Sequence, residues 1–169
     1  MIYLYHGTDA DIDIPDPGRG RKGTDFGQGF YLTPDFDSAT KMAHRVARRK
    51  NVSNSVVICY ALDENRLASA GLHVRSFLNI EASWLRFIVA NRYLLADAPD
   101  HNLDARWDVV QGFIADDRIV QLLDALVRGA ATEEDVLKAL RTARFKAVQY
   151  SFHTCAAVSL LDKIEVKHV

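Results

Sequence analysis

Apolar and polar positions are arranged in more than one rhythm along this chain, and each rhythm predicts a different element. Residues 2–5 are β-branched, aromatic and apolar, and predict a strand that begins almost at the first residue. Residues 30–33 predict a second short strand stopped by Pro34, and residues 56–62 a third that is apolar throughout. From Asp35 the period lengthens. Phe36, Ala39, Ala43 and Val46 recur on one face, acids stand at the start, and Arg45, Arg48, Arg49 and Lys50 gather at the end, which predicts a helix. Residues 80–95 carry Trp84, Leu85, Ile88 and Val89 at helical spacing, and residues 119–127 predict another helix. Thr132 is placed to cap a further one, with Glu133, Glu134 and Asp135 in its first turn. Residues 107–114 are rich in β-formers, and residues 147–152 and 164–169 predict strands around a short helix capped by Thr154. Strands gathered at both ends with helices between them predict an α+β fold rather than a regular parallel βαβ alternation. The expected organisation is a single domain, 1–169, in which 80–141 is a mostly helical insertion.

Composition narrows this little further. The 169 residues are 49% hydrophobic and 25% charged, the balance of an ordinary globule. A formal net charge of -1 excludes a generally basic nucleic-acid coat and leaves room for a local basic patch. Cys59 and Cys155 stand far apart in no CxxC spacing, which argues against a disulfide framework or a zinc cage. No apolar run reaches the ~18 residues of a membrane span, and Met-Ile-Tyr-Leu-Tyr-His does not open like a secretory signal. A cytoplasmic protein with no membrane partner is the expectation.

The chemistry-bearing residues sit around a long loop, 9–24, whose prolines and glycines suit neither a helix nor an interior strand. Gly18, Gly20 and Gly23 match GxGxxG, but no strand precedes them and no helix follows, so the dinucleotide fingerprint lacks its context. Arg19, Arg21 and Lys22 in that loop are candidates for a position near a bound phosphate. The sharper pair is Tyr5-His6-Gly7-Thr8 with Asp25-Phe26-Gly27-Gln28-Gly29-Phe30-Tyr31-Leu32-Thr33. A histidine on one strand, an aromatic on another and glycines beside both suit a cleft for a flat heterocycle, because glycine lets a ligand approach the backbone. Read on composition alone, His6 is equally an ordinary polar strand end and Tyr31 an ordinary core aromatic. The HxC of His153 and Cys155 lacks further ligands, so a strand–helix junction explains it better than a metal. The basic cluster that ends the first helix complements the helix dipole and is also a candidate for touching nucleic acid.

With these blocks, and with Trp107-Asp108-Val109-Val110-Gln111-Gly112-Phe113-Ile114-Ala115-Asp116-Asp117 and Gln149-Tyr150-Ser151-Phe152-His153-Thr154 in the same order, the chain resembles the ADP-ribosyltransferase superfamily. The likeness is to its poly(ADP-ribose) polymerase-like branch, and more closely to a bacterial group of small toxin-like members. The resemblance implies a split antiparallel β-sheet that grips NAD+ as co-substrate, with no metal. His6 would hydrogen-bond the adenosine ribose, the Gly7 backbone would hold the nicotinamide carboxamide, and Tyr31 would stack on the nicotinamide ring. Thr8, Arg19, Gly29 and Phe30 would complete the NAD+ contacts. It further implies mono-ADP-ribosylation of a macromolecular acceptor, protein or nucleic acid, with a cognate antitoxin as partner. The family's late-strand glutamate is replaced here by Gln149, which keeps a hydrogen bond and loses charge and basicity. Three readings stay open. Gln149 suffices for transfer, Asp116 or Asp117 supplies the carboxylate, or the domain binds NAD+ or a protein without chemistry. An RNA 2'-phosphotransferase of the same general fold would need more basic RNA contacts than this charge balance offers.

Overall fold

The computed structural model describes residues 1–141 and 147–169. Its elements are β1 (Ile2–Thr8), β2 (Phe30–Leu32), α1 (Phe36–Lys50), β3 (Val56–Leu62), α2 (Glu64–Ser69), β4 (Val74–Phe77), α3 (Ala82–Arg92), β5 (Val109–Phe113), α4 (Asp117–Val127), α5 (Glu133–Arg141), β6 (Val148–Phe152), α6 (Cys155–Val158) and β7 (Leu161–His168). The α+β class holds. Local signals place most boundaries: Asp35, Asp116 and Thr154 each accept backbone N–H bonds at the start of α1, α4 and α6. Thr132 and Asp135 exchange bonds at the start of α5. No described helix is long and apolar enough to cross a membrane.

The strands form two sheets, β1-β3-β7 and β2-β6-β5-β4. The first is antiparallel throughout. In the second, β6 pairs antiparallel with both β2 and β5, but β4 runs parallel to β5. A wholly antiparallel core is therefore corrected to one antiparallel and one mixed sheet. The reason is the connection: α3 and its flanking loops carry the chain back from the end of β4 to the start of β5, the long crossover that parallel neighbours require. The same observation changes the reading of 80–141. It contributes α3, α4 and α5, yet also β5, which lies inside the sheet between β6 and β4. That stretch is woven into the core.

Three apolar clusters hold the layers. Leu4, Phe30, Leu32, Ile58, Tyr60 and Phe152 meet between the sheets. Phe26, Trp84, Phe87, Val110 and Leu123 join the other face of the second sheet to α3 and α4. On the far side of the first sheet, Ala39 and Ala43 of α1 close over Val57. That small-residue stripe brings the helix backbone down onto β1. A Cβ built at Gly7 would lie 1.9 Å from the Ala39 carbonyl oxygen and 2.7 Å from the Ala43 nitrogen. Glycine at 7 is thus demanded by helix packing, whatever else the backbone there does. Gly7→Ala should force α1 off the sheet and cost about 2 kcal/mol or more, seen as a fall of about 5 °C in Tm. An unchanged Tm would contradict the packing described.

Candidate functional site

The two sheets touch along a single isolated bridge among the described residues, Tyr5 of β1 with Thr33 just past β2. Tyr5 N–H donates to the Thr33 carbonyl at 2.8 Å, and Thr33 N–H returns the bond at 3.0 Å. The next rung of such a ladder would pair Gly7 with Tyr31. Instead the Tyr31 carbonyl accepts from His6 Nδ1 at 2.8 Å, and the strands part. Because main-chain groups alternate along a strand, the Gly7 N–H and C=O point the same way as those of Tyr5, into the opening. The split is therefore built by an imidazole inserted where a backbone pair would otherwise form.

His6 lies inside β1 rather than at its end, half-buried, with its ring tilted against Phe30 at 4.3 Å between centroids. A carbonyl only accepts, so Nδ1 carries the hydrogen and Nε2 presents a lone pair. Nε2 makes no bond to the protein among the described residues. Burial pulls the His6 pKa below its ordinary value, against the opposing pull of the Tyr31 carbonyl, so the neutral imidazole is the working form.

Tyr31 contributes differently from its two ends. Its hydroxyl donates to the Gly27 carbonyl at 2.6 Å, accepts from Phe26 N–H at 3.1 Å and meets Thr24 Oγ1 at 2.9 Å. The turn 24–27 is thus tied to the phenol, and burial raises the Tyr31 pKa so that the hydroxyl stays protonated. Its ring runs nearly parallel to Phe26, with centroids 6.3 Å apart, and meets His153 edge-on. The β2–β6 register sets Tyr31 opposite Ser151, and β5–β6 sets Gln149 opposite Gly112. Side chains two apart share a face, so Tyr31, Ser151 and Gln149 lie on one side of the second sheet. His6 packs with Phe30, on the other. The structure therefore brings His6 to the Tyr31 main chain and sets Gln149 on the same face of the second sheet as the Tyr31 side chain.

The other expected contacts sort plainly. Thr8 ends β1, buried, with Oγ1 donating to Asp9 at 3.4 Å. Phe30 is core, so its side chain is spent between His6 and Tyr60. Gly29 lies against the His153 ring. Arg19 ends the short 3-10 turn Pro17–Arg19 and is exposed without a protein partner among the described residues. Asp116 is a helix cap: its carboxylate accepts from Arg118 N–H at 3.1 Å and Ile119 N–H at 3.0 Å. Asp117 stands exposed in the first turn of α4. The His153 ring is occupied on both sides, Nδ1–H donating to the Gln28 carbonyl and Nε2 accepting from Ser151 Oγ, each at 2.8 Å.

Two groups here carry more of the site than their sequence signal suggested. Asp25 is buried, forms an ion pair with Arg92 of α3 and accepts from Ala115 N–H at 2.7 Å. Burial pushes its carboxyl pKa up while Arg92 opposes the shift. It clamps the turn that holds the Tyr31 hydroxyl, and its partners lie 67 and 90 residues away, beyond any local pattern. The Ser151–His153 pair locks β6 to the glycine-rich loop through Gln28. In the sequence the pair stood in the late block 149–154, and its HxC read as a strand–helix junction, which is where His153 lies, between β6 and α6. Depressions on the surface lined by Ile80, Glu81, Ser83, Leu137 and Arg141 share no residue with the split.

A family model described as Protein of unknown function (DUF3990) matches residues 2–162. No curated protein and no solved structure matches the chain.

Proposed function

The chain belongs to the DUF3990 family, and we propose that it is an NAD+-dependent mono-ADP-ribosyltransferase that passes ADP-ribose to a macromolecular acceptor and releases nicotinamide. The observation that carries this reading is the parting of β1 from β2 at His6, with the Gly7 backbone aimed into the gap and Tyr31 on its far rim. A primary carboxamide offers one acceptor and two donors, and a free strand-edge N–H and C=O are its complement. His6 Nε2, a fixed acceptor, suits a ribose hydroxyl. Cleavage expels neutral nicotinamide from a cationic pyridinium, so positioning and stabilisation of the developing ribosyl cation matter more than proton transfer. Gln149 offers its amide carbonyl to that region without charge. The reading extends to a toxin restrained by an antitoxin, which toxicity on expression, lost in His6→Ala, would support.

Two results follow for the carboxylate question. Gln149→Glu should raise nicotinamide release from NAD+ at least tenfold, because a full negative charge beside a developing cation in a dry site is worth on the order of 10²–10³ in rate. Asp116→Ala should cost about 1 kcal/mol of stability, as loss of a cap does, and leave turnover unchanged. A collapse of turnover in that variant would return Asp116 to the chemistry. The direct experiment is chromatographic detection of nicotinamide from NAD+ with the purified protein, alone and with cell lysate.

A second reading, an NAD+-binding module without transfer, is favoured by one feature: the carboxylates of Asp116 and Asp25 are both spent, the first on a cap and the second on Arg92. Saturable NAD+ binding by calorimetry with no nicotinamide released, even by Gln149→Glu, would establish it. Absence of NAD+ binding would remove both readings.

A further inference from the structure

Helix α1 presents a row of exposed cations. Lys41, Arg45, Arg48 and Arg49 are all exposed, and their spacing of four, three and one sets them on one face, opposite the buried Ala39, Ala43 and Ala47. No carboxylate pairs with any of the four among the described residues. Elsewhere several cations are matched, Arg66 with Asp162, Arg75 with Asp100, Arg86 with Glu133 and Arg106 with Asp104, though Arg19 is not. On α1 itself Lys50 is taken by Asp9, and Asp37 in the first turn is the helix's one acid. The negative C-terminal end of the helix accounts for Arg48 and Arg49, but its influence fades within a turn and does not reach Lys41 or Arg45. Lys41 with Arg45, and Arg45 with Arg49, are like-charged neighbours that weaken an isolated helix. Asp35 attracts Lys41 at the start of the helix, and no ion pair takes up Arg45, Arg48 or Arg49 among the described residues.

We propose that the outer face of α1 docks on the phosphate backbone of duplex DNA. A protein partner is disfavoured because interface cores are depleted of charge and anchored by buried aromatics, and among the described residues no Phe, Tyr or Trp stands exposed on this face. The same lack removes the stacking platform on which unpaired bases are held. From Lys41 to Arg49 the row spans about 12 Å at 1.5 Å per residue, close to the ~12 Å width of the B-form major groove. A straight helix laid there sets cations at both flanking phosphate rows. The major groove of A-form RNA is too narrow to admit it. The face of α1 that rests on Gly7 is the opposite one, so bound DNA would lie across the helix from the split. The docking itself does not depend on the ADP-ribose reading.

The test is fluorescence anisotropy of a labelled 20-base-pair DNA duplex titrated with the whole chain, between 50 and 200 mM salt. Four phosphate contacts predict a log–log salt slope of about −3 to −4 and a loss of about 100-fold in affinity over that range. The quadruple variant Lys41→Gln/Arg45→Gln/Arg48→Gln/Arg49→Gln keeps good helix formers, with far-UV circular dichroism confirming the fold. It should bind at least ~30-fold more weakly at 50 mM salt and lose most of the slope. Arg19→Gln/Arg21→Gln/Lys22→Gln should bind like wild type. No duplex binding at 50 mM salt, or equal binding by the α1 quadruple variant, overturns the proposal. So does tighter binding of single-stranded DNA, duplex RNA or phosphatidylserine vesicles than of duplex DNA.

Discussion

If the proposed transfer is this protein's reaction, replacing Tyr31 by Ala should lower nicotinamide release about 100-fold or more, while Tyr31→Phe should keep a substantial fraction of it. The two substitutions separate the two jobs of the side chain. On the proposed function the ring is the stacking surface for nicotinamide, and base–aromatic stacking is worth about 1–3 kcal/mol by Ala substitution. Misplacement of the scissile bond multiplies that loss. The hydroxyl is structural, holding Gly27 O, Phe26 N–H and Thr24 Oγ1 in one turn. Removing it leaves buried backbone groups short of a partner, a cost of about 1–3 kcal/mol in stability, with the ring still in place. Tyr31→Phe should thus melt earlier and still turn over. Steady-state release and thermal melts of both variants decide the matter. Equal activity in wild type and Tyr31→Ala would exclude nicotinamide stacking at this residue.

Acid should weaken the fold between pH 6.5 and 4 through His153. Its ring is 6 % exposed, between Ser151 and the Gln28 carbonyl. Burial lowers its pKa to about 4, from 6.5 for the free side chain. Between those values the unfolded chain binds a proton that the folded chain refuses, so stability rises with pH. The contribution is complete above pH 6.5, falls as pH drops, and is gone near pH 4, about 3 kcal/mol in all. Roughly 2 kcal/mol of it is lost between pH 7 and 5, or about 1 M in urea midpoint. His6 is shifted in the same direction by burial and adds to the effect. Asp25, raised by burial, works in the opposite sense, its stabilisation fading as pH climbs through its folded-state pKa. Urea titrations at pH 7 and 5 on wild type and His153→Gln provide the check. The variant should be weaker at pH 7 and much less sensitive to the drop. Parallel losses in both proteins would locate the acid sensitivity elsewhere.

Much of this architecture could be read one segment at a time. The seven-residue apolar run of β3 matches the structure residue for residue, and the alanine-lined α1 starts one position after its Asp35 cap. Such signals are local: a side-chain period, a cap, a basic last turn. The elements that escaped, α2 and β4, span six and four residues and expose most of their side chains, too little for a period to show. The stretch 80–141 read as mostly helical with a β-rich segment at 107–114; that segment is β5, and its place inside the sheet is what local pattern could not show.

At the site, the sequence by itself determined the residue types and their blocks: His6 with Gly7, Tyr31 behind paired glycines, Gln149 where a carboxylate was expected. Tertiary structure decided how they meet. His6 addresses the Tyr31 carbonyl from the opposite face of the strand, Gly7 is small because α1 rests on it, and Asp116 is a cap. It also decided that Asp25 would be clamped by Arg92 and Ala115, and that Lys41, Arg45, Arg48 and Arg49 would be left facing water. The physical reason is range. Helical period and capping act over three or four residues and are written in the chain itself. Which face is covered, and which charge finds a partner, depends on contacts between segments far apart in sequence, and these exist only once the two sheets have closed on their shared core.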